Sequence, residues 1–96
     1  MMVPESISPA ARPKISSRAR LQMDKVTGKP LLLYPEGALI LNPTAHAIIL
    51  RCTGEETFEA IVSGLAARYQ RAAPEISAQA NSFLNRLRGK NLLELL

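Results

Sequence analysis

The sequence predicts an α+β domain, a three-stranded antiparallel β-meander followed by three α-helices. Two observations predict it. Up to Leu41 the apolar residues alternate or run in short blocks separated by turn residues, and after Asn42-Pro43 they recur at the three- and four-residue spacing of helices. A chain of 96 residues suits one domain with a single modest core.

The elements follow in order. Residues 18–23 alternate, with Arg18, Arg20 and Gln22 on one face and Ala19, Leu21 and Met23 on the other, which predicts a half-buried strand. Thr27-Gly28 allows a tight reversal, and Leu31-Leu32-Leu33-Tyr34 reads as the return strand. Pro35-Glu36-Gly37 makes a second turn before Ala38-Leu39-Ile40-Leu41, a third strand that is apolar on both faces. Asn42 is placed to cap a helix that Pro43 opens and that runs to about Cys52, with Gly54 just past its end. Thr57 caps a second helix, with Glu59 near its positive end and Phe58, Ile61, Val62, Leu65, Ala66 and Tyr69 on one face. Pro74 and Glu75 open a third, with the stripe Ile76, Ala80, Phe83, Leu84 and Leu87. Gly89 ends it, and Arg86, Arg88 and Lys90 lie near the negative dipole end. The simplest packing of these pieces is a winged-helix arrangement. Residues 1–16, with Pro4, Pro9 and Pro13, are expected to form a flexible N-terminal segment ahead of a single domain spanning 17–96.

Composition narrows the function by exclusion. Apolar residues make up 47% of the chain, yet no run approaches the roughly eighteen that a membrane span needs, and the N-terminus lacks a secretory pattern. A cytoplasmic protein is expected. Cys52 and His46 are the only residues of their kinds, six apart on one predicted helix and so about 240° apart around its axis, which argues against a catalytic dyad. Cys52 reads as a small buried hydrophobe and His46 as a helix-surface group. Structural zinc needs four Cys or His ligands, and the scattered glycines form no phosphate-binding pattern, so no metal, cofactor or enzymatic activity is expected. Glu55, Glu56 and Glu59 are explained by the dipole of the second helix.

The net charge of +4 admits an alternative, a winged-helix DNA-binding protein. Its cations are spread from Arg12 to Lys90, however, and the third helix opens with Glu75, Ile76, Ser77 and Ala78, where a recognition helix presents base-reading side chains. The third strand points elsewhere. In a meander it is an edge with unpaired backbone groups and no guarding charge, open to a partner strand.

Tyr34-Pro35-Glu36-Gly37, Leu41-Asn42, Thr44-Ala45, Ile48 and Gly54 in this order and spacing, with Arg20-Leu21-Gln22 upstream and Phe83-Leu84 downstream, resemble the PqqD family, the peptide chaperones of pyrroloquinoline quinone biosynthesis. The resemblance extends over most of the stretch from Ser17 to Leu95. It implies a non-catalytic winged-helix-like recognition element that binds the leader of a ribosomally made precursor peptide and presents it to a radical S-adenosylmethionine enzyme. It also implies that the peptide adds as a strand beside the third strand, in a groove walled by the third helix. The expected peptide-binding residues are Ala38, Leu39, Ile40 and Leu41 on the strand and Gln79, Phe83 and Arg86 on the helix, spaced i, i+4 and i+7 on one face. Family members often carry Asp-Val where this chain has Gln79-Ala80, which puts any polar contact at that position in doubt. Leu50 stands at an often polar position and is expected to be an exposed contact. A homodimer is expected as well, through pairing of exposed strands or exchange of the hairpin spanning residues 18–34.

Overall fold

A computed structural model describes residues 6–96. The chain builds β1 (Pro13–Ile15), β2 (Arg20–Met23), β3 (Pro30–Tyr34), β4 (Gly37–Ile40), α1 (Pro43–Arg51), α2 (Phe58–Tyr69), α3 (Ala73–Gly89) and β5 (Leu93–Leu95). The expected α+β plan is present. β2, β3 and β4 form an antiparallel meander in that order, and the three helices follow it. This arrangement is compatible with the winged-helix type. Gly28 takes a φ of 72° in the first hairpin turn, where the Asp24 carboxylate accepts from the Val26 N–H and the Thr27 hydroxyl.

Asn42 caps α1 as its position requires, its side-chain oxygen accepting from the Ala45 N–H at 2.7 Å. Thr57 does the same for α2 through Ala60 at 3.1 Å. The helices turn Ile48, Ile61, Leu65, Ile76, Ala80, Leu84 and Leu87 into one core, which Leu32 and Leu41 close from the sheet side. Burying a leucine such as Leu32 completely removes from water a side chain worth about 1.5–3 kcal/mol.

Packing extends ahead of Ser17: Ile7 is only 3% exposed, and its N–H donates to Asn81 Oδ1 at 2.7 Å. The reason lies at the start of α2, whose free amides need acceptors. The carbonyls of Ala11 and Pro9 supply them, accepting from Phe58 at 2.7 Å and Glu59 at 3.1 Å. β1 then pairs antiparallel with β5, Ile15 opposite Leu93, and on its other side bonds the 52–54 segment through Ile15 to Cys52 and Gly54 to Pro13. The apolar tail is therefore a strand. Gly54, at φ 86°, sits where an added Cβ would come within 3.0 Å of Leu96 Cδ1.

One expectation needs correction, that of a half-buried β2. Its alternation is real, but the strand overhangs the helices, so that Leu21 is 36% and Met23 54% exposed. Of the three meander strands, β3 is the one with a fully buried side chain, Leu32.

Two outcomes follow for stability. Ile7→Ala should destabilise the chain by at least about 2 kcal/mol in denaturant unfolding, the ordinary cost of emptying a buried isoleucine site; a neutral result contradicts a packed N-terminal segment. Burial first, and the Glu56 charge second, push the Cys52 thiol up to about 12. The folded chain then holds a proton that the unfolded chain releases above its ordinary pKa near 8.5. This contribution is fully present below about pH 8.5 and falls as pH rises toward 12, by at most about 1.4 kcal/mol per pH unit. Cys52→Ala should flatten that part of the stability–pH curve.

Candidate peptide-binding edge and cleft

β4 ends the sheet, with β3 on one side and, among the described residues, no strand on the other. Which of its backbone groups are free follows from one bond. The Leu41 N–H donates to the Pro30 carbonyl at 3.0 Å, one step beyond the Leu31↔Ile40 pair of the β3–β4 register. Hydrogen-bonded and non-hydrogen-bonded pairs alternate along an antiparallel ladder, so Leu41, Leu39 and Gly37 turn their amides into the sheet. Ala38 and Ile40 turn theirs outward. Of the four strand residues expected to receive a peptide, these two present free main-chain groups, while Leu39 and Leu41 spend theirs on β3. Leu41 is also buried at 3% exposure and belongs to the core. No charged residue stands on this edge, and Ile40 is 71% exposed.

The three expected helix residues share one cleft. Gln79, Phe83 and Arg86 line a hollow of about 650 Å³ between α3 and the start of α1, facing Thr44, Ala45 and Ile48, with Tyr69 and Arg71 from the end of α2 and the loop after it. Phe83 is half-buried, off the fully buried stripe of Ile76, Ala80, Leu84 and Leu87. It therefore offers an aromatic surface to the cleft. The residues of β4 do not line this hollow; it meets the strand through Asn42, directly after Leu41. A second hollow of about 560 Å³, lined by Ile40, Leu41, Pro43 and His46, flanks the same end of β4 on the hairpin side. Further toward the β3–β4 turn, Lys90 Nζ lies 5.8 Å from the centre of the Tyr34 ring, tying the end of α3 to the sheet.

The charge of the cleft is set by two arginines. Arg71 is engaged by Glu75 at 2.8 Å, whereas Arg86 is exposed and has no ion pair among the described residues. Thr44, Ala45, Ile48, Tyr69 and Arg71 were not anticipated as cleft residues, because periodicity assigns Ala45, Ile48 and Tyr69 to the core and says nothing of which loop cation comes near.

His46 lies within α1, and Cys52 is its C-cap. Cys52 is buried at its C-terminus, with its thiol held far from ionisation at neutral pH, and His46 borders the second hollow. No cluster of three or more metal-ligating side chains exists among the described residues, and none of their helices is long and apolar enough to cross a membrane.

Comparison with known proteins places this architecture. Residues 31–93 match the family model described as coenzyme PQQ synthesis protein D (PqqD). The chain is 32% identical to the PqqA binding protein of Methylococcus capsulatus (strain Bath), covering 83% of this chain and 88% of that one. It is 29% identical to the PqqA binding protein of Rhizobium meliloti (strain 1021), covering 93% and 91%. Among solved structures, the NMR structure of the PqqD truncation of Methylobacterium extorquens PqqCD, described as a stand-alone RiPP recognition element, superposes with a TM-score of 0.78 at 30% identity, over 97% of this chain and 99% of that chain. The crystal structure of PqqD from Xanthomonas campestris gives 0.58 at 29% identity, over 93% and 99%. A meander with an unguarded third strand, a cleft walled by the third helix, and a family match over the stretch that holds both lead to one assignment: the chain belongs to the PqqD family.

Proposed function

We propose that this chain is a peptide chaperone of pyrroloquinoline quinone biosynthesis. It binds the ribosomally made precursor peptide by strand addition at β4 and presents it to the radical S-adenosylmethionine enzyme of the pathway, without catalysing a step itself. The observation that carries this reading is the β4 edge, with the Ala38 and Ile40 amides directed outward and running toward a cleft that displays Phe83 and Arg86. Its relatives' description as PqqA binding proteins supports the choice of peptide.

The division of labour is physical. Main-chain bonds to Ala38 and Ile40 contribute affinity with little demand on sequence, whereas side chains of the added strand that reach the cleft meet Gln79, Phe83 and Arg86 and supply selectivity. Phe83 offers apolar area at low entropic cost, and Arg86 favours an acidic residue in the peptide. Residues 1–5 lie outside the described structure, so the expectation of a flexible start is untested for them. A cytoplasmic setting agrees with a single buried thiol. Beyond the peptide and the enzyme, a second copy of the chain is a further partner in this reading. The DNA-binding alternative finds no support in the relatives, and Arg71, at the cleft, is spent on Glu75.

Titration with the precursor peptide tests the proposal. Ile40→Pro removes an N–H that the sheet does not use, so it should weaken binding about tenfold or more, about what losing one well-made hydrogen bond costs. Circular dichroism must show the fold intact for the result to count. Unchanged affinity in a folded Ile40→Pro chain contradicts strand addition at β4. Arg86→Glu should weaken binding of an acidic leader several-fold at low salt and less at high salt, while changing stability by less than about 0.5 kcal/mol. An affinity that falls with salt as steeply as DNA binding does would favour the alternative instead.

A further inference from the structure

At the start of β4 a side chain of the neighbouring strand reaches across. Tyr34 stands opposite Gly37 and Leu32 opposite Leu39, so all four share the face on which Leu32 is buried in the core. Gly37 brings no side chain to that face, and the Tyr34 ring takes the space. A Cβ at Gly37 would meet the phenol oxygen at 3.4 Å and Cζ at 3.6 Å. The ring therefore lies across β4 with its hydroxyl leading, and this hydroxyl has no hydrogen bond among the described residues.

α3 supplies the opposite wall. Gln79, Phe83, Arg86 and Lys90, spaced four, three and four residues apart, form one ridge that ends on the helix's cap residue. The first three share the cleft with Asn42, and Lys90 Nζ comes within 5.8 Å of the centre of the Tyr34 ring. The ridge thus runs from the end of β4 back to its start. Its character changes on the way. Phe83 presents an aromatic ring, whereas Arg86 and Lys90 are exposed cations with no ion pair among the described residues. Glu36, in the turn that follows Tyr34, is held by Arg18 at 3.0 Å.

We propose that Tyr34, Lys90 and Arg86 form a subsite for one carboxylate side chain of the bound peptide, and that the peptide residue two positions away, toward the Leu41 end, is apolar. This rests on the reading that a strand adds at β4. Such a strand exchanges main-chain bonds at Ala38 and Ile40. Its residues opposite Gly37 and Leu39 then fall in non-hydrogen-bonded pairs, about 4.5 Å apart between Cα atoms, and turn their side chains to the helix face. The residue opposite Gly37 meets the phenol hydroxyl, the ammonium and the guanidinium, all of which can donate. An ionised carboxylate is the side chain that only accepts, and charge-assisted bonds of this kind are about twice as strong as neutral ones. The residue opposite Leu39 meets Leu39 and Phe83, both half-buried and packed on the core. The recognised stretch therefore pairs an acid with an apolar residue two positions along, and this spacing holds for either strand direction.

Titration of the full chain with the precursor peptide, and with a set in which each of its acidic residues in turn is changed to the amide, locates the subsite. One member of the set should bind the unsubstituted chain about tenfold more weakly, the size of one charge-assisted hydrogen bond. The same change should cost Lys90→Met no more than about twofold, because the two substitutions remove one interaction and are not additive. Tyr34→Phe keeps the ring over Gly37 and removes only the hydroxyl. It should weaken the parent peptide several-fold, barely affect that amide variant, and leave the circular dichroism unchanged. Alanine at the apolar residue two positions from the coupled acid should cost the unsubstituted chain more than it costs Phe83→Leu. If every amide variant loses as much affinity for Lys90→Met as for the unsubstituted chain, the subsite is overturned. Ile40→Pro then says what failed: weakened binding leaves strand addition at β4 standing, and unchanged binding in a folded chain removes both. An acid that couples with Lys90 but has no apolar residue two positions away contradicts the register and overturns the proposal as well.

Discussion

The hydrogen bond from the Leu41 N–H to the Pro30 carbonyl sets the phase of the β3–β4 ladder, and with it which face of the last strand's backbone is spent and which is free. Pro30 has no N–H to return, so this end of the ladder is held by one donor, and the chain passes at once into Asn42 and the cap of α1. The strand's outward amides and the helical cleft are thereby fixed relative to each other within a few residues. A sheet edge bearing a charge or covered by a helix would be closed to addition. Here Gly37, Ala38, Leu39 and Ile40 bring neither, and α3 stands at the edge's end.

Holding that geometry requires the rest of the molecule to be rigid, and the small core leaves little to spare. The N-terminal segment contributes through backbone groups. Pro9 and Ala11 lend carbonyls to the start of α2, Ile7 fills the core, and β1 is held between β5 and the 52–54 turn. The two ends of the described chain are thus bound to one another beneath the helices, and the meander projects from that body with both edges exposed. Its inner strand packs and its outer strands overhang, which is the arrangement a recognition element needs if edges are to meet partners.

Much of this was legible in the residues. The Asn42-Pro43 boundary, the Thr57 cap, the turn at Gly28 and the stripe of Ile76, Ala80, Leu84 and Leu87 are local signals, fixed by capping chemistry, backbone freedom and helical period. The bare third strand was legible too, since its lack of charge is written in four letters. What stayed hidden depends on partners far along the chain. Nothing local to Pro9 or Ala11 says that their carbonyls meet the amides of Phe58 and Glu59. Alternation in β2 gives two faces without saying that the strand lies beyond the helices. Likewise Leu41 reads as a member of the edge, and only the register shows that its amide is taken and its side chain buried.

The central claim is that Ala38 and Ile40, and not Leu39 or Leu41, offer main-chain groups to an added strand. Residue-resolved amide hydrogen exchange with and without saturating precursor peptide tests it most directly. The account predicts that Leu39 and Leu41 are protected in both states, and that Ala38 and Ile40 exchange quickly in the free protein and become protected when peptide is bound. Protection that appears along α2 on peptide binding, with Ala38 and Ile40 unchanged, would contradict it.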